Sequence, residues 1–399
     1  MPTLLCGSIA YDTIMVFGDR FKNHILPEQL HILNVAFLVP DMRREFGGCA
    51  GNIAYTLKML GGEPLIMATV GDDYQPYDYR LQKLHLAQSH IRRIPDTFTA
   101  QAFITTDLDD NQITAFHPGA MNYSHENHVY EAKGVELGII APDGREGMLQ
   151  HAREFDAAGI PFLFDPGQGL PMFGRVELTA FVNPASYVAV NDYEGQMLQD
   201  RTGTKLEEMA KKVKALVVTL GARGSVIMTG GRTLEVPPVT AERVLDPTGC
   251  GDAYRAGLLY GIAAGLEWPV TGRLASLLGS IKIAHRGAQN HRFTRAEIEQ
   301  RYPGFLPDGR RPPGWESDEL LLARAHRTLR RVADATPGGD VLVITHAGVV
   351  FAVERHRGLD RTRLANVQGR WVTVAGDRLR LGDRVLLADP EDVTVPRQM

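Results

Sequence analysis

Short apolar runs alternate with helical patterns of hydrophobic residues from Met1 to about Tyr302. Three of these runs end at a polar residue or a glycine turn: Ile160–Phe164, Tyr187–Val190 and Leu216–Thr219. Runs of this length predict buried strands, and the helical patterns between them predict an α/β fold with an open, mostly parallel sheet flanked by helices. Because parallel strands end at one edge of a sheet, we expect a site where the polar residues follow them.

One segment departs from this rhythm and predicts a separate β structure. Polar and apolar residues alternate over Gln101–Thr106 and Gln112–Phe116, and Asp109-Asp110-Asn111 joins the two stretches. Alternation with a period of two around a polar turn predicts a hairpin. We expect it to form a small β lid, over about residues 96–123, that projects from the α/β body.

The pattern changes again near residue 302. Half of the residues from 302 to 315 are proline or glycine, which neither a helix nor a strand tolerates, so we predict a linker over 303–315. Beyond it, Asp318–Ala333 has the pattern of a helix and Asp340–Ile344 that of a strand. The prediction is an α/β domain over residues 1–302 and a short α/β appendage over residues 316–399.

Composition narrows the class of protein. A net charge of −4 and a pI near 6.4 argue against binding to nucleic acid or to an anionic membrane. Cys6, Cys49 and Cys250 lie far apart without a C-x-x-C pair, which predicts a reducing compartment and no thiolate zinc site. The N-terminal segment lacks a basic region, and no apolar run approaches about 18 residues. We expect a cytoplasmic protein that binds small molecules, as a monomer or a homodimer.

The segment from Asp246 to Asp252, Asp-Pro-Thr-Gly-Cys-Gly-Asp, is the strongest candidate for chemistry and precedes an apolar helical run. Such a glycine-punctuated turn brings backbone N–H groups together at the positive end of a helix, where phosphate binds. Asp252 beside this anion site could take a proton from a hydroxyl that attacks phosphorus. A capped turn, with Asp252 complementing the helix dipole, is the structural alternative.

A second glycine cluster, Phe46-Gly47-Gly48-Cys49-Ala50-Gly51-Asn52, precedes the helical run Ile53–Leu60. Glycines let a ligand approach the backbone, and the Asn52 side chain can donate and accept hydrogen bonds. With Asp12, just past the first strand, the cluster could hold the vicinal hydroxyls of a sugar. A tight turn before a helix explains the glycines equally well.

Four motifs in this order resemble those of the ribokinase (PfkB) superfamily. Gly47-Gly48 with Asn52 resembles its N-terminal motif, and Asp246 to Asp252 its C-terminal motif. Between them, Asn191-Asp192-Tyr193-Glu194 matches N-x-x-E, and Thr219 to Gly224 matches the nucleotide-side loop. Within the superfamily, Gly7 to Asp12 and Phe116 to Met121 are similar to segments of bacterial adenosine kinases and related nucleoside kinases.

The resemblance implies a ribokinase-like fold and an ATP-dependent enzyme of purine salvage that phosphorylates the 5′-hydroxyl of adenosine to give AMP. It implies substrate-binding residues, among which Phe116 stacks on the base: Ser8, Asp12, Gly48, Asn52, Phe116 and Gln168. It implies ATP-binding residues at the strand ends: Asn191, Glu194, Thr219, Gly221 and Gly224. It implies that Asp252 is the catalytic base and that the N–H groups of Gly249, Cys250 and Gly251 stabilise the transferring phosphoryl group.

The resemblance also implies cofactors. Mg²⁺ bridges the phosphates, with Glu194 and Asn191 organising it through water, and Asp246 and Thr248 lie where some relatives bind a monovalent cation such as K⁺. The chain has no G-x-x-x-x-G-K-[ST] motif, so it is not a P-loop enzyme. A sugar kinase of the same superfamily, acting on ribose or a ketohexose, is the alternative. An idle nucleoside-binding module is disfavoured by the presence of Asp252.

The tail, residues 316–399, resembles the C-terminal half of the histidine phosphatases around Ile344-Thr345-His346-Ala347-Gly348. Those enzymes need a nucleophilic histidine in an Arg-His-Gly motif, and this chain has no such motif. We therefore expect the tail to lack phosphatase activity.

Overall fold

The computed structural model describes residues 1–25, 35–109, 111–301, 318–343, 349–350, 353, 368–375 and 378–386. It divides the chain into two compact units, Met1–Glu297 (the body unit) and Ile298–Met399 (the tail unit). The strands are β1 Pro2–Cys6, β2 Ala10–Val16, β3 Asp41–Gly47, β4 Glu63–Val70, β5 Ala87–Arg93, β6 Ala100–Thr106, β7 Gln112–His117, β8 Leu137–Ile140, β9 Phe162–Phe164, β10 Tyr187–Asn191, β11 Ala215–Thr219, β12 Ser225–Thr229, β13 Arg232–Val236, β14 Gln368–Ala375 and β15 Arg378–Leu386. The helices are α1 Cys49–Met59, α2 Gln75–Lys83, α3 Arg145–Ala157, α4 Arg175–Val182, α5 Asp192–Thr202, α6 Leu206–Ala210, α7 Cys250–Ala263, α8 Trp268–Ile283, α9 Arg295–Arg301 and α10 Asp318–Ala335. Within these ranges, we find no helix with the length and apolar character needed to cross a membrane.

The body unit is built on a nine-stranded sheet in the order β13-β12-β11-β10-β9-β8-β1-β4-β5. The strands from β11 to β5 run parallel, and β12 and β13 add an antiparallel edge. Alternate residues of one strand enter two different apolar clusters, as Leu4 and Leu5 of β1 do. Both faces of the sheet are therefore covered, as is typical of parallel sheets, and the predicted α/β fold is confirmed.

The three apolar runs singled out in the sequence are strands β9, β10 and β11. β9 is shorter than predicted, because it begins at Phe162 and leaves out Ile160 and Pro161. Proline has no N–H to give to a neighbouring strand, so it favours a boundary at this position. The polar ends of these strands lie at the same edge of the sheet, since the three are parallel neighbours.

A separate four-stranded sheet, in the order β3-β2-β6-β7, forms the lid. The predicted hairpin is β6 and β7, which pair antiparallel from Gln101–His117 to Thr106–Gln112. The predicted range of 96–123 contains only these two strands, and β2 and β3 come from earlier in the chain. β3 was not predicted, because it carries several charged residues and its only buried residue is Gly47. Asp12, expected just past the first strand, lies within β2.

In the tail unit, α10 confirms the predicted helix, and β14 and β15 form an antiparallel pair. Asp340–Val343, predicted as part of a strand, is not in one, and Val341, Leu342 and Val343 are exposed. A strand needs a hydrogen-bonded neighbour, and the two strands described in this unit pair with each other. Ile344, His346 and the linker predicted over 303–315 lie outside the described residues.

Candidate active site

The N-termini of α1 and α7 lie close together in the body unit, and each helix follows a glycine at which a side chain would be strained. Gly48, before α1, has a φ of 86°, and a Cβ there would lie 2.5 Å from the Ala10 nitrogen. Gly249, before α7, has a φ of 77°, and its Cβ would lie 2.7 Å from the Cβ of Ala288. These close approaches and positive φ angles place the first turns of α1 and α7 near each other, as the contact between Asn52 and Asp252 shows.

Asp252, in the first turn of α7, is the partly buried carboxylate at this meeting point. Its Oδ2 accepts a hydrogen bond from Nδ2 of Asn52 on α1 at 2.8 Å. Burial raises the pKa of Asp252 to about 6, with a smaller contribution from Asp165, while the Asn52 hydrogen bond and the charge of Arg255 act in the opposite direction. A carboxylate with this pKa is largely ionised at neutral pH and can accept a proton.

A hydrogen-bonded chain that the sequence analysis missed holds Asn52 in place. Gln289 donates from Nε2 to Oδ1 of Asn52 at 3.0 Å, which leaves the Asn52 amide N–H groups facing Asp252. Gln289 Nε2 also lies 2.6 Å from the hydroxyl of Tyr77, and Arg80 Nε donates to Gln289 Oε1 at 3.1 Å. The sequence offers only a weak signal for this role, the polar pair Gln289-Asn290 that follows Gly287 after a long apolar helix.

The sequence analysis also did not predict the ion pair between Arg255 and Asp165, which lies close to Asp252. Arg255, one turn along α7, donates from Nε and from its terminal amine to the two oxygens of Asp165, each at 3.0 Å. Glu194 lies 3.9 Å from the same guanidinium. Both partners of the bidentate pair are buried, with side chains 5% and 6% exposed. The signal was present in Asp165, a carboxylate directly after an apolar strand.

The predicted ATP-binding residues lie together at the carboxyl edge of the main sheet. Asn191 ends β10 opposite Thr219 of β11. Asn191 Oδ1 accepts from the Glu194 N–H at 2.7 Å, and Glu194 Oε2 accepts from the Asn191 N–H at 2.8 Å, so the two form a capping box that begins α5. Gly221 and Gly224 follow on the turn between β11 and β12, where a Cβ on Gly224 would lie 2.2 Å from the Val236 carbonyl.

The residues near Glu194 suit a divalent cation. Three carboxylates, those of Asp165, Glu194 and Asp252, act on the single guanidinium of Arg255, so negative charge is in excess. Burial raises the pKa of Glu194, and Asp165 adds to this effect. Within the described residues no cluster of three or more histidine, cysteine, aspartate or glutamate side chains could hold a metal by itself. Mg²⁺ commonly keeps several waters and binds through one or two carboxylates and substrate phosphates, which fits Glu194 and Asn191.

Three residues share one face of the lid, because residues paired directly across strands point the same way. Asp12 of β2 is paired with Ala102 of β6, and Ala102 with Phe116 of β7. Phe116 is 52% exposed, and the small side chain of Ala102 separates it from Asp12. Burial raises the pKa of Asp12 to about 6, with contributions from Asp246 and Glu45. The face therefore presents a carboxylate and an open aromatic ring.

Two predicted substrate residues have other surroundings. Ser8 caps α1, since its Oγ accepts from the Cys49 N–H at 3.1 Å and its carbonyl accepts from the Ala50 N–H at 3.0 Å. Gln168 is exposed on the short 3-10 helix Gly167–Met172 that follows β9. The structure thus brings Ser8 to the glycine cluster and leaves Gln168 at the surface.

In the turn from Asp246 to Gly251, one of the N–H groups predicted to bind phosphate is already engaged. The Cys250 N–H donates to the Pro247 carbonyl at 3.1 Å within the turn, and the α7 helix then runs on from Gly249. Burial raises the pKa of the Cys250 thiol to about 11. The thiol is therefore neutral, and Gly249 and Gly251 lie on either side of it.

The predicted potassium site does not fit a cation. Asp246 accepts from the Thr248 N–H at 2.9 Å through Oδ1 and from the Gly287 N–H at 2.8 Å through Oδ2. Its carbonyl accepts from Nζ of Lys282 at 2.8 Å. The acceptors of Asp246 are engaged, and a positive charge of the protein is already present beside them.

Comparisons with known proteins agree with this geometry. A family model described as pfkB family carbohydrate kinase matches residues 12–294, and a histidine phosphatase superfamily (branch 1) model matches residues 288–373. The fold and the site define a ribokinase-like kinase, and the chain belongs to the pfkB family of carbohydrate kinases.

Nucleoside kinases are among its relatives. The nucleoside kinase of Methanocaldococcus jannaschii is 30% identical over 67% of this chain and 89% of the relative. The structure of the Burkholderia thailandensis nucleoside kinase in complex with inosine is 54% identical, with a TM-score of 0.70 over 78% of this chain and 99% of that one. A structure of the same enzyme in complex with ADP-inosine is also 54% identical, with a TM-score of 0.69 over 79% of this chain and 99% of that one.

Proposed function

We propose that this protein is a nucleoside kinase that transfers the γ-phosphoryl group of ATP to the 5′-hydroxyl of a purine nucleoside, adenosine first among the candidates. The observation that carries the proposal is the lid face on which Phe116 and Asp12 flank Ala102. A flat base can stack on the exposed ring while the carboxylate accepts hydrogen bonds from ribose hydroxyls. The relatives named nucleoside kinases, one of them bound to inosine, support the same substrate class.

In the proposed mechanism, Asp252 accepts the proton of the 5′-hydroxyl as its oxygen attacks the γ-phosphorus and the bond to the β-phosphate oxygen breaks. Asn52 holds the carboxylate through the 2.8 Å hydrogen bond. N–H groups of the turn around Gly249 and Gly251 stabilise the charge on the transferring group. Mg²⁺, held by Glu194 and Asn191 through water, would neutralise phosphate charge when bound.

A sugar kinase acting on ribose or a ketohexose is the alternative. A free sugar is covered by hydrogen-bonding groups and has no flat base, so it gives the exposed Phe116 ring no partner. The lid surface therefore favours a nucleoside.

The experiment is a substrate panel with the full chain and MgATP, in which product formation is followed for adenosine, inosine, cytidine, ribose and fructose. We expect kcat/KM to be highest for a purine nucleoside, with a nucleoside 5′-monophosphate as product. Equal or faster phosphorylation of ribose or fructose would overturn the proposal. A higher kcat/KM for inosine than for adenosine would leave the protein a purine nucleoside kinase and would make inosine the preferred substrate.

A further inference from the structure

Lys282 is an unusual residue of the body unit, because it is a lysine with no exposed surface near the end of α8. Its neighbours on the helix, Leu277, Leu278 and Ile281, are buried apolar residues. A charged group loses its hydration in such a place, and the loss is tolerated only where other charges or dipoles replace the water.

Two backbone carbonyls and nearby carboxylates replace the water around Lys282. Its Nζ donates to the carbonyl of Asp246 at 2.8 Å and to the carbonyl of His285 at 3.0 Å. The carboxylates of Asp246 and Asp252 attract the same charge. Carbonyl oxygens gathered around a positive charge are also how proteins hold a dehydrated monovalent cation.

The contacts of Lys282 lie at the start of the Asp246–Gly251 turn and in the loop that follows α8. Asp246 begins the turn that leads into α7, and its Oδ2 accepts from the Gly287 N–H at 2.8 Å. Gly287 is followed two residues later by Gln289, which holds Asn52. The lysine thus fixes the turn on one side and the Gln289 segment on the other.

We propose that the Lys282 ammonium takes the place of a monovalent cation in this protein, so that it holds the Asp246–Gly251 turn in position and makes the kinase independent of K⁺. The acceptors that a K⁺ ion would use at Asp246 already bind protein donors, and a second positive charge beside Nζ would be repelled. The activity part of this inference rests on the proposed kinase function. The part that concerns how Lys282 holds the Asp246–Gly251 turn in position does not depend on that function.

The first test measures wild-type protein at constant ionic strength while K⁺ replaces tetramethylammonium, which is too large for a carbonyl cage. We expect the rate of phosphoryl transfer and the midpoint of thermal unfolding to stay unchanged. A several-fold activation by K⁺, or a higher midpoint in K⁺, would overturn the proposal.

The second test uses Lys282→Ala, which removes the charge and leaves space among the carbonyls. We expect a lower kcat and a lower unfolding midpoint, both restored in part by K⁺ and not by tetramethylammonium. Arg243→Ala is the matched control, because Arg243 Nε donates to the Ala284 carbonyl of the same loop at 3.0 Å without contacting Asp246. Its response to K⁺ should match that of wild type.

A folded Lys282→Ala protein that keeps full activity without K⁺, or that K⁺ does not help, would contradict the proposal and leave the lysine a structural role only. If Lys282→Ala fails to fold, the wild-type titration decides. The unfolding midpoint needs no substrate, so an error in the proposed substrate class does not affect that readout.

Discussion

Asp252 combines burial with a hydrogen bond to Asn52, and both effects can be separated from catalysis by substitution. Asp252→Asn keeps the size of the side chain and an acceptor for Asn52 but removes the base. We expect kcat to fall by a factor on the order of 10²–10⁴, the usual range for a positioned acid–base group, with KM for both substrates nearly unchanged. Steady-state kinetics would check this. Weaker binding at unchanged kcat would show that Asp252 is structural.

The pKa of Asp252 predicts how activity depends on pH. Because burial raises this pKa to about 6, the ionised form predominates only above that value, and the rate should rise with pH through about 6 and then level. Gln289→Leu frees the Asn52 amide, and a weaker hydrogen bond to the carboxylate raises the pKa further. We expect the acid limb of the kcat profile to move to higher pH in this variant, with a smaller change in KM.

The neighbouring Asn290→Ala is the control for Gln289→Leu, because Asn290 donates from Nδ2 to Glu45 at 2.8 Å and lies at the surface. Its acid limb should match that of wild type. Asp12 titrates in the same range, and Asn290→Ala releases Glu45, which acts on Asp12. A shift of the acid limb seen in Gln289→Leu and not in Asn290→Ala therefore reports on Asp252. Coincident profiles for Gln289→Leu and wild type would contradict the positioning role.

At this scale, local motifs pointed to Asp252 and Asn52, since glycines and carboxylates at fixed spacing can be recognised within a few residues. Gln289 could not be found in this way. Its hydrogen bond to Asn52 joins positions 237 residues apart, and only the fold brings them together. Arg255 could not be recognised for a different reason, because a single arginine in a helix is usually a surface residue and its partner Asp165 follows a strand that is distant in sequence.

At the scale of secondary structure, the lid hairpin allows a test of substrate binding with a matched control on the same hairpin. Phe116→Ala removes the proposed base platform, and stacking of this kind contributes about 1–3 kcal/mol. We expect KM for the nucleoside to rise roughly 5- to 150-fold, since about 1.4 kcal/mol is a factor of ten, while KM for ATP changes little. Kinetics at saturating ATP would measure the effect.

Phe103→Ala is the matched control for the lid. Phe103 is 40% exposed and paired with Ala115, so it lies on the opposite face of the same hairpin. Its substitution should leave KM for the nucleoside near the wild-type value. Equal effects of the two substitutions would mean that the hairpin was destabilised and that Phe116 has no special contact with the base.

The lid also shows which strand pairings cannot be predicted from the sequence pattern. Its hairpin was predictable because β6 and β7 alternate and are close in sequence. β2 and β3 contribute the other half of the sheet, and β2 is parallel to β6, a pairing between residues 10–16 and 100–106 that no local signal specifies. The mostly parallel character of the main sheet was easier to predict, because its central strands β8 to β11 are apolar and mostly buried. The order of its strands was not predicted.

For the whole molecule, the division into two units predicts that the kinase does not need the tail. A chain truncated after Arg301 keeps all of α9 and the complete site. We expect it to retain the kinase rate of the full chain, and we expect neither protein to hydrolyse p-nitrophenyl phosphate, because the chain has no Arg-His-Gly motif.

Both assays can use the same purified proteins, with His346→Ala in the full chain as a control for hydrolysis. Loss of kinase activity on truncation would show that the tail supports the body unit. Ester hydrolysis that disappears in His346→Ala would show that the similarity to histidine phosphatases over residues 288–373 includes catalysis.

The order of strands in the main sheet also bears on how the protein is made. β1 is synthesised before β4 and β8, yet it lies between them in the sheet, so one of its edges stays unpaired until Ile140 has left the ribosome. From β8 to β13, each new strand instead joins the one made just before it. The nascent chain therefore carries an open, apolar strand edge from the synthesis of β1 until that of β8, and this is the interval in which a chaperone would have most to protect.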